Sequence, residues 1–174
     1  MNKRLITVLG IVAIIAVTAI YMYLGGLNKV EYTIENVSDY NLIGVQFQGE
    51  GDSKEIETAY EEAKTYVLEK KFDGILTLVH YNNTTLKEDE VKFFIGIKLN
   101  SGVSDIPNHY TRLTIPAQYS SRATIEAHNS VMPSPKTIED NLREKAAEAS
   151  LRLQDFTIEQ YISENLLIID MPAR

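Results

Sequence analysis

Four side chains offer the material of a binding site: Glu159, Tyr161, Tyr81 and Glu126. Two tyrosine rings and two carboxylates suit a flat organic cation, which needs ring faces for cation–π contact and a charge to pair with. Strand alternation brings them to one surface. On 156–161, FTIEQY, Phe156 and Ile158 are expected to face packed helices, leaving Thr157, Glu159 and Tyr161 on the other side. On 76–81, LTLVHY, Leu76 and Leu78 take the helix side, and Thr77, Val79 and Tyr81 the other. On 122–128, Ala123, Ile125 and Ala127 point to the helices, and Arg122, Thr124, Glu126 and His128 do not. The plain alternative is a solvated strand face, where a glutamate needs no ligand and Arg122, Glu126 and His128 only pair among themselves.

Catalysis has less to work with. The chain has no cysteine, hence no thiolate nucleophile, no disulfide and no Cys-ligated zinc. No G-x-S-x-G elbow occurs. Glu126 and His128 could act as a general acid–base pair. His80, His109 and His128 are not at metal-ligand spacing, and Gly49 and Gly51 read as a turn rather than a phosphate loop. The expectation is therefore a site with no catalytic residue, no metal and no cofactor.

Positioning the four residues requires a particular set of elements. Asn41 to Gly49 alternates Ile43, Val45 and Phe47 as a strand. Asp52 with Glu55 makes a capping box. Ile56, Ala59, Tyr60, Ala63 and Val67 then recur at helical spacing, which predicts a helix over Lys54 to Lys71. Asp73-Gly74 is a turn, and strands follow at Ile75 to Tyr81 and Val91 to Leu99, joined by a polar stretch from Asn82 to Glu90.

The second half repeats this order. Tyr110 to His128 is a strand region broken at Pro116, because proline cannot donate to a central ladder. Ser134-Pro135 starts a helix, with Ile138, Leu142, Ala146, Ala149 and Leu153 as its stripe. Strands follow at Phe156 to Ile162 and Leu166 to Met171. LTLVHY and FTIEQY match at Thr and Tyr at an offset of 80 residues. The fold expected is α+β: two tandem strand–helix–strand–strand repeats, about 31–99 and 110–174, in one antiparallel sheet with helices on one face.

Ahead of the repeats lies Leu5 to Leu24, LITVLGIVAIIAVTAIYMYL, which is uncharged and long enough as a helix to span about 30 Å of hydrocarbon. Lys3 and Arg4 precede it, Lys29 follows, and Tyr21 and Tyr23 sit where an aromatic belt falls. The expectation is a single-pass anchor. Residues 1–4 form a cytoplasmic stub, 25–30 a short tether, and the domain lies on the non-cytoplasmic side of a cell membrane. A cleaved signal peptide is the rival, although its apolar run is usually 7–15 residues and an A-x-A-like site follows it. The chain's 17 basic and 24 acidic residues give −7 overall; without Lys3 and Arg4, residues 25–174 hold 15 against 24, or −9. Phosphate backbones would repel such a domain, so nucleic acid is not an expected partner.

The stretch IPAQYSSRATIEAH (115–128), then a helix, then TIEQY (157–161), resembles the GyrI-like family, also called the AraC-type effector-binding domain. The resemblance covers roughly residues 31–174. It implies a bacterial small-molecule-binding domain with a groove between the two repeats, and Glu159 matches the groove glutamate of the family's E-x-Y strand. Family members often carry a Gly-Pro-Tyr-like turn and a tryptophan, whereas this chain has NSVMPSP (129–135) and no Trp. No DNA-binding segment accompanies the domain. The reading is a membrane-anchored binding domain for an organic cation or aromatic ligand. A hydrolase of the same fold and a ligand-free interaction module are the alternatives.

Overall fold

The computed structural model describes residues 3–82, 86–87 and 89–173, with the side chains of 3–5, 8 and 129 left aside. Parts of the stub, of the polar stretch before Glu90 and Arg174 therefore lie outside the described residues. The elements are α1 (Lys3–Tyr23), β1 (Glu31–Asn36), β2 (Tyr40–Glu50), α2 (Lys54–Leu68), β3 (Gly74–Tyr81), β4 (Glu90–Leu99), β5 (Thr111–Ile115), β6 (Tyr119–Ile125), a 3-10 turn (Asn129–Val131), α3 (Pro135–Glu148), β7 (Phe156–Ser163) and β8 (Leu166–Pro172). All eight strands form one sheet in the order β1-β6-β8-β7-β3-β4-β2-β5, with every pairing antiparallel.

The two strand–helix–strand–strand units are β2-α2-β3-β4 and β6-α3-β7-β8. The sequence reading did not foresee β1; the break it placed at Pro116 falls between β5 and β6. Each of these extra strands precedes one unit and pairs with the edge of the other: β1 with β6, β5 with β2. The units meet at the centre through β3 and β7, where Leu78 lies opposite Glu159 and Leu76 opposite Tyr161.

Helix ends explain the local boundaries. Ser53, not Asp52, caps α2 by accepting from the Glu55 N–H. Ser134 caps α3, with Pro135 in its first turn. Both helices end in the same six-to-one and five-to-two bonds: Lys71 N–H to Tyr66 and Lys70 N–H to Val67, then Leu151 N–H to Ala146 and Ser150 N–H to Ala147. Lys70 and Ser150 both sit at φ 56°, the left-handed turn that stops each helix. That turn, and not the stripe's last apolar residue, ends α2 at Leu68 rather than Lys71.

Both helices pack on one face of the sheet. Ile43, Ala63, Phe72, Leu76 and Ile97 form the core under α2; Ala123, Ile125, Leu142, Leu167 and Ile169 form the core under α3. The opposite face is not a bare, solvated one. It holds a third cluster of Tyr40, Leu42, Val79, Phe94, Ile115 and Ile158, with Tyr81 and Phe156 against it. The expected faces of β3 and β6 hold. On β7 they are reversed: Phe156 and Ile158 turn away from the helices, while Thr157, Glu159 and Tyr161 point toward them, as their pairing with His80, Leu78 and Leu76 requires.

Ahead of the sheet, α1 stands with its described apolar side chains exposed, Ile14 at 68% and Val17 at 67%. The Thr18 hydroxyl donates to the Ile14 carbonyl at 2.9 Å, so it costs an apolar environment little. Among the described residues, no helix is long and apolar enough to cross a membrane. The expected span over 5–24 draws on residues 5 and 8, whose side chains are not among those described. The tether is no loose leash: it is hydrogen-bonded to the end of β6.

Leu142 is fully buried in the α3 core. Leu142→Ala should lower unfolding free energy by about 2–5 kcal/mol in denaturant titration, the cost of a core cavity. A change below about 0.5 kcal/mol would take Leu142 out of the core.

Candidate functional site

Helices α2 and α3 sit on separate halves of the sheet, and the central strands β3 and β7 run between them. The strip between the helices is thus floored by Leu78 and His80 of β3 and by Thr157, Glu159 and Tyr161 of β7. Tyr60 of α2 closes one side, its ring edge-on to Tyr161 with centroids 5.4 Å apart. Tyr161 also packs against the α3 cluster, so it spans both halves. Phe93 of β4 stands edge-on to His80 at 4.9 Å.

Glu159 is the charge-bearing group of this groove. It is partly exposed by surface area, yet lost hydration dominates its carboxyl and pushes the pKa above the ordinary 4.5. A hydrogen bond from the Tyr161 hydroxyl to Glu159 Oε2, at 2.8 Å, works the other way. Burial, then the neighbouring carboxylate, raises the Tyr161 phenol so far that it stays a donor. His80 is held below its ordinary 6.5 by burial, with Glu139 of α3 pulling weakly upward. Glu139 is itself occupied by Asn82 at 3.0 Å and Arg143 at 2.7 Å. The arrangement sets one partly exposed carboxylate beside the Tyr161 and Tyr60 rings, on the strip of sheet between the two helices.

Of the four residues named from sequence, the structure brings Glu159 and Tyr161 together and separates the other two. Tyr81 lies on the opposite face, its ring 5.7 Å from Phe156 and 5.2 Å from Lys92 Nζ. Glu126 follows the end of β6 and is exposed; its backbone carbonyl accepts from the Asn28 side chain. Arg122 pairs with Asp170 at 2.8 Å rather than with Glu126, and His128 caps the 3-10 turn. Tyr60, His80 and Thr157 were missed as site residues. Tyr60 was visible as part of the helical stripe, and His80 follows from the alternation that placed Leu76 and Leu78. Among the described residues, no cluster of three or more His, Asp or Glu side chains could hold a metal.

No known family's sequence profile matches the chain, and no curated protein matches it. Solved structures do. A structure of SAV2435 bound to tetraphenylphosphonium matches with TM-score 0.52 at 13% identity, over 83% of this chain and 94% of that one. The EcmrR C-terminal domain matches with TM-score 0.57 at 12% identity, over 83% and 98%. The chain shares the fold of these two structures. A hydrolase from Listeria innocua is similar too, with TM-score 0.58 at 11% identity over 83% and 92%. EcmrR in an EcmrR–DNA complex aligns over 99% of this chain and 70% of that chain, with TM-score 0.54 at 15% identity, so that alignment extends over α1.

The raised pKa of Glu159 has a pH signature. A group whose folded pKa lies above its unfolded one adds stability below the unfolded value, and that stability is lost as pH climbs to the folded one. From about pH 4.5 upward, the unfolded chain releases this proton first and wild-type stability falls relative to Glu159→Gln. Thermal melts of the ligand-free chain should coincide near pH 4 and separate toward pH 8, with the Gln variant higher. Parallel curves would remove the desolvated carboxyl from the site.

Proposed function

We propose that the domain binds a lipophilic organic cation, or a neutral aromatic ligand, in the groove between α2 and α3. Glu159 supplies the charge, and Tyr161 and Tyr60 supply ring faces. The carrying observation is the Glu159 carboxyl itself, desolvated by its walls yet open on one side. A desolvated carboxylate whose partner is a neutral hydroxyl is still costly, and a cationic guest recovers that cost. The similar fold of SAV2435, solved with tetraphenylphosphonium, supports the reading.

The helix ahead of the domain is the second part of the proposal. We propose that α1 is a single-pass anchor that leaves the domain on the non-cytoplasmic side of a cell membrane. Its 21 residues reach about 32 Å, the thickness of a hydrocarbon core. Its exposed Ile, Val and Leu side chains have no covering element among the described residues. Lys3 and Arg4 on the near side, against Lys29 beyond, set the orientation.

A hydrolase is the second reading. It is favoured by the uncharged His80 and the high-pKa Glu159 on one groove floor, and by the hydrolase from Listeria innocua among similar folds. Product formation from an ester or epoxide probe, abolished by Glu159→Gln, would favour it over simple binding.

Two measurements test the main reading. Calorimetry with tetraphenylphosphonium should show Glu159→Gln weakening binding by about 1–3 kcal/mol, the range for a lost charged hydrogen bond. Triphenylphosphine oxide, neutral and similar in shape, should bind both forms alike; equal losses for both ligands would discard the charge role. A cysteine at Ser104 should react with an impermeant thiol reagent in intact cells. Reaction only after lysis would reverse the orientation.

A further inference from the structure

We propose that the domain is seated on the bilayer by one fixed end. The contact is made by the β7–β8 turn and the segment 128–133, clustered round the foot of α1. The proposal rests on the anchor reading above and concerns what that reading leaves open, namely how the domain stands relative to the lipid.

The junction is a clamp. The α1 helix closes with Gly26 N–H donating to the Tyr21 carbonyl at 2.9 Å and Gly25 N–H to Met22 at 3.0 Å. Gly25 takes φ +80°, and a Cβ there would meet the Glu126 carbonyl oxygen at 2.7 Å. No other residue fits that approach. The Leu24 carbonyl accepts from His128 N–H at 2.9 Å, Asn28 N–H donates to the Gly25 carbonyl at 2.9 Å, and the Asn28 side-chain amide donates to the Glu126 carbonyl. Val30 then packs against the α3 core, and β1 pairs with β6 from Glu31 onward. From helix to sheet the backbone is held at nearly every step, so the direction of α1 fixes the direction of the domain.

The same junction shows which end faces the lipid. A cavity of about 230 Å³ brings Val131, Met132 and Pro133 beside Tyr21 and the Gly25–Gly26 turn. A second, of about 320 Å³, brings Asn165 and Leu166 beside Tyr23 and Leu24. Tyr21 and Tyr23 lie at the aromatic-belt level of the anchor. Leu27, in the same turn, is 66% exposed. The tyrosines, Leu27, the polar β7–β8 turn and the segment 128–133 together ring the point where α1 leaves the domain, and a mixed polar and aromatic ring around a membrane helix fits the headgroup layer of the same bilayer. A second copy docked on this ring alone would leave the exposed apolar sides of α1 in water. Strand β7 runs eight residues away from this end, roughly 26 Å, so Asp155 lies far from the lipid and Asn165 next to it. The Tyr161 end of the groove is then the end nearest the bilayer.

The test uses the full chain in phosphatidylcholine nanodiscs. The chain has no cysteine of its own, so single cysteines at Ile14, Asn165 and Asp155 can each carry one fluorophore. Nitroxide on the lipid headgroup should quench the Asn165 label several-fold more than the Asp155 label. Nitroxide in the acyl chain should quench the Ile14 label. Gly25→Val should bring the Asn165 value down toward that of Asp155 while tetraphenylphosphonium affinity holds. Asn28→Ala, which alters only one hydrogen bond, should do the same in part. Equal quenching at Asn165 and Asp155 with Ile14 still quenched overturns the seating and leaves the anchor standing. An unquenched Ile14 overturns both.

Discussion

Asp170 is the residue on which the rest of the sheet depends. It is completely buried, on the face away from the helices. Four donor bonds of 2.8 Å satisfy its carboxylate: two from Arg122, one from the Tyr40 hydroxyl and one from the Gln160 amide. Gln160 in turn accepts from Lys98 at 2.6 Å. Tyr40 and Lys98 belong to the first unit; Arg122, Gln160 and Asp170 belong to the second. Stripping one partner from such a pair costs about 3–5 kcal/mol, because the remaining charge stays buried. The network therefore fixes where β7 lies against β8 and, through Tyr40 and Lys98, against the other half.

That register has a direct consequence for the groove. Side chains alternate across a strand, so holding Gln160 in the network on one face forces Glu159 and Tyr161 to the other. A slip of one residue would turn Glu159 toward Asp170, two carboxylates in one dry place, and would empty the groove of its charge. The polar network and the candidate site thus share one strand and are opposite outcomes of the same pleat. This is also why a buried ion cluster belongs here at all: an apolar patch could hold β7 in place without caring which of two adjacent registers it took.

The same alternation explains what was legible in the sequence. Element order, both helices, the core stripe through Leu142 and the faces of β3 and β6 follow from apolar periodicity. The face of β7 did not, because LTLVHY and FTIEQY were matched at an offset of 80, Thr on Thr and Tyr on Tyr. The helix ends do repeat at 80, as Lys70 and Ser150 show. Beyond them the connections differ: 69–73 joins α2 to β3, and 149–155 joins α3 to β7. The second connection is two residues longer, an even shift, yet the pairing of β7 with β3 puts Thr77 on the face away from the helices and Thr157 on the face toward them, so the two strands do not share the frame that the offset of 80 assumes. A two-residue period cannot reveal this from within a strand whose both faces carry apolar residues. The exchange of β1 and β5 between the units was equally hidden, since nothing local says which edge a strand will join.

That exchange bears on how the groove can work. Because β1 is bonded to β6 and β5 to β2, each unit is closed by a strand from the chain ahead of the other. The halves cannot part without breaking an edge ladder as well as the central β3–β7 pairing. The strip of sheet along that central seam, with Glu159 and Tyr161 on it, is therefore held in place by both halves. The energetic cost of holding the Glu159 carboxyl among aromatic rings is then met during folding, by the core and the Asp170 network, not at the moment of binding. On the binding reading proposed above, a cation reaching Glu159 would lose its own water and its freedom but ask no rearrangement of the sheet, which is the condition under which a single carboxylate can discriminate charge at close range.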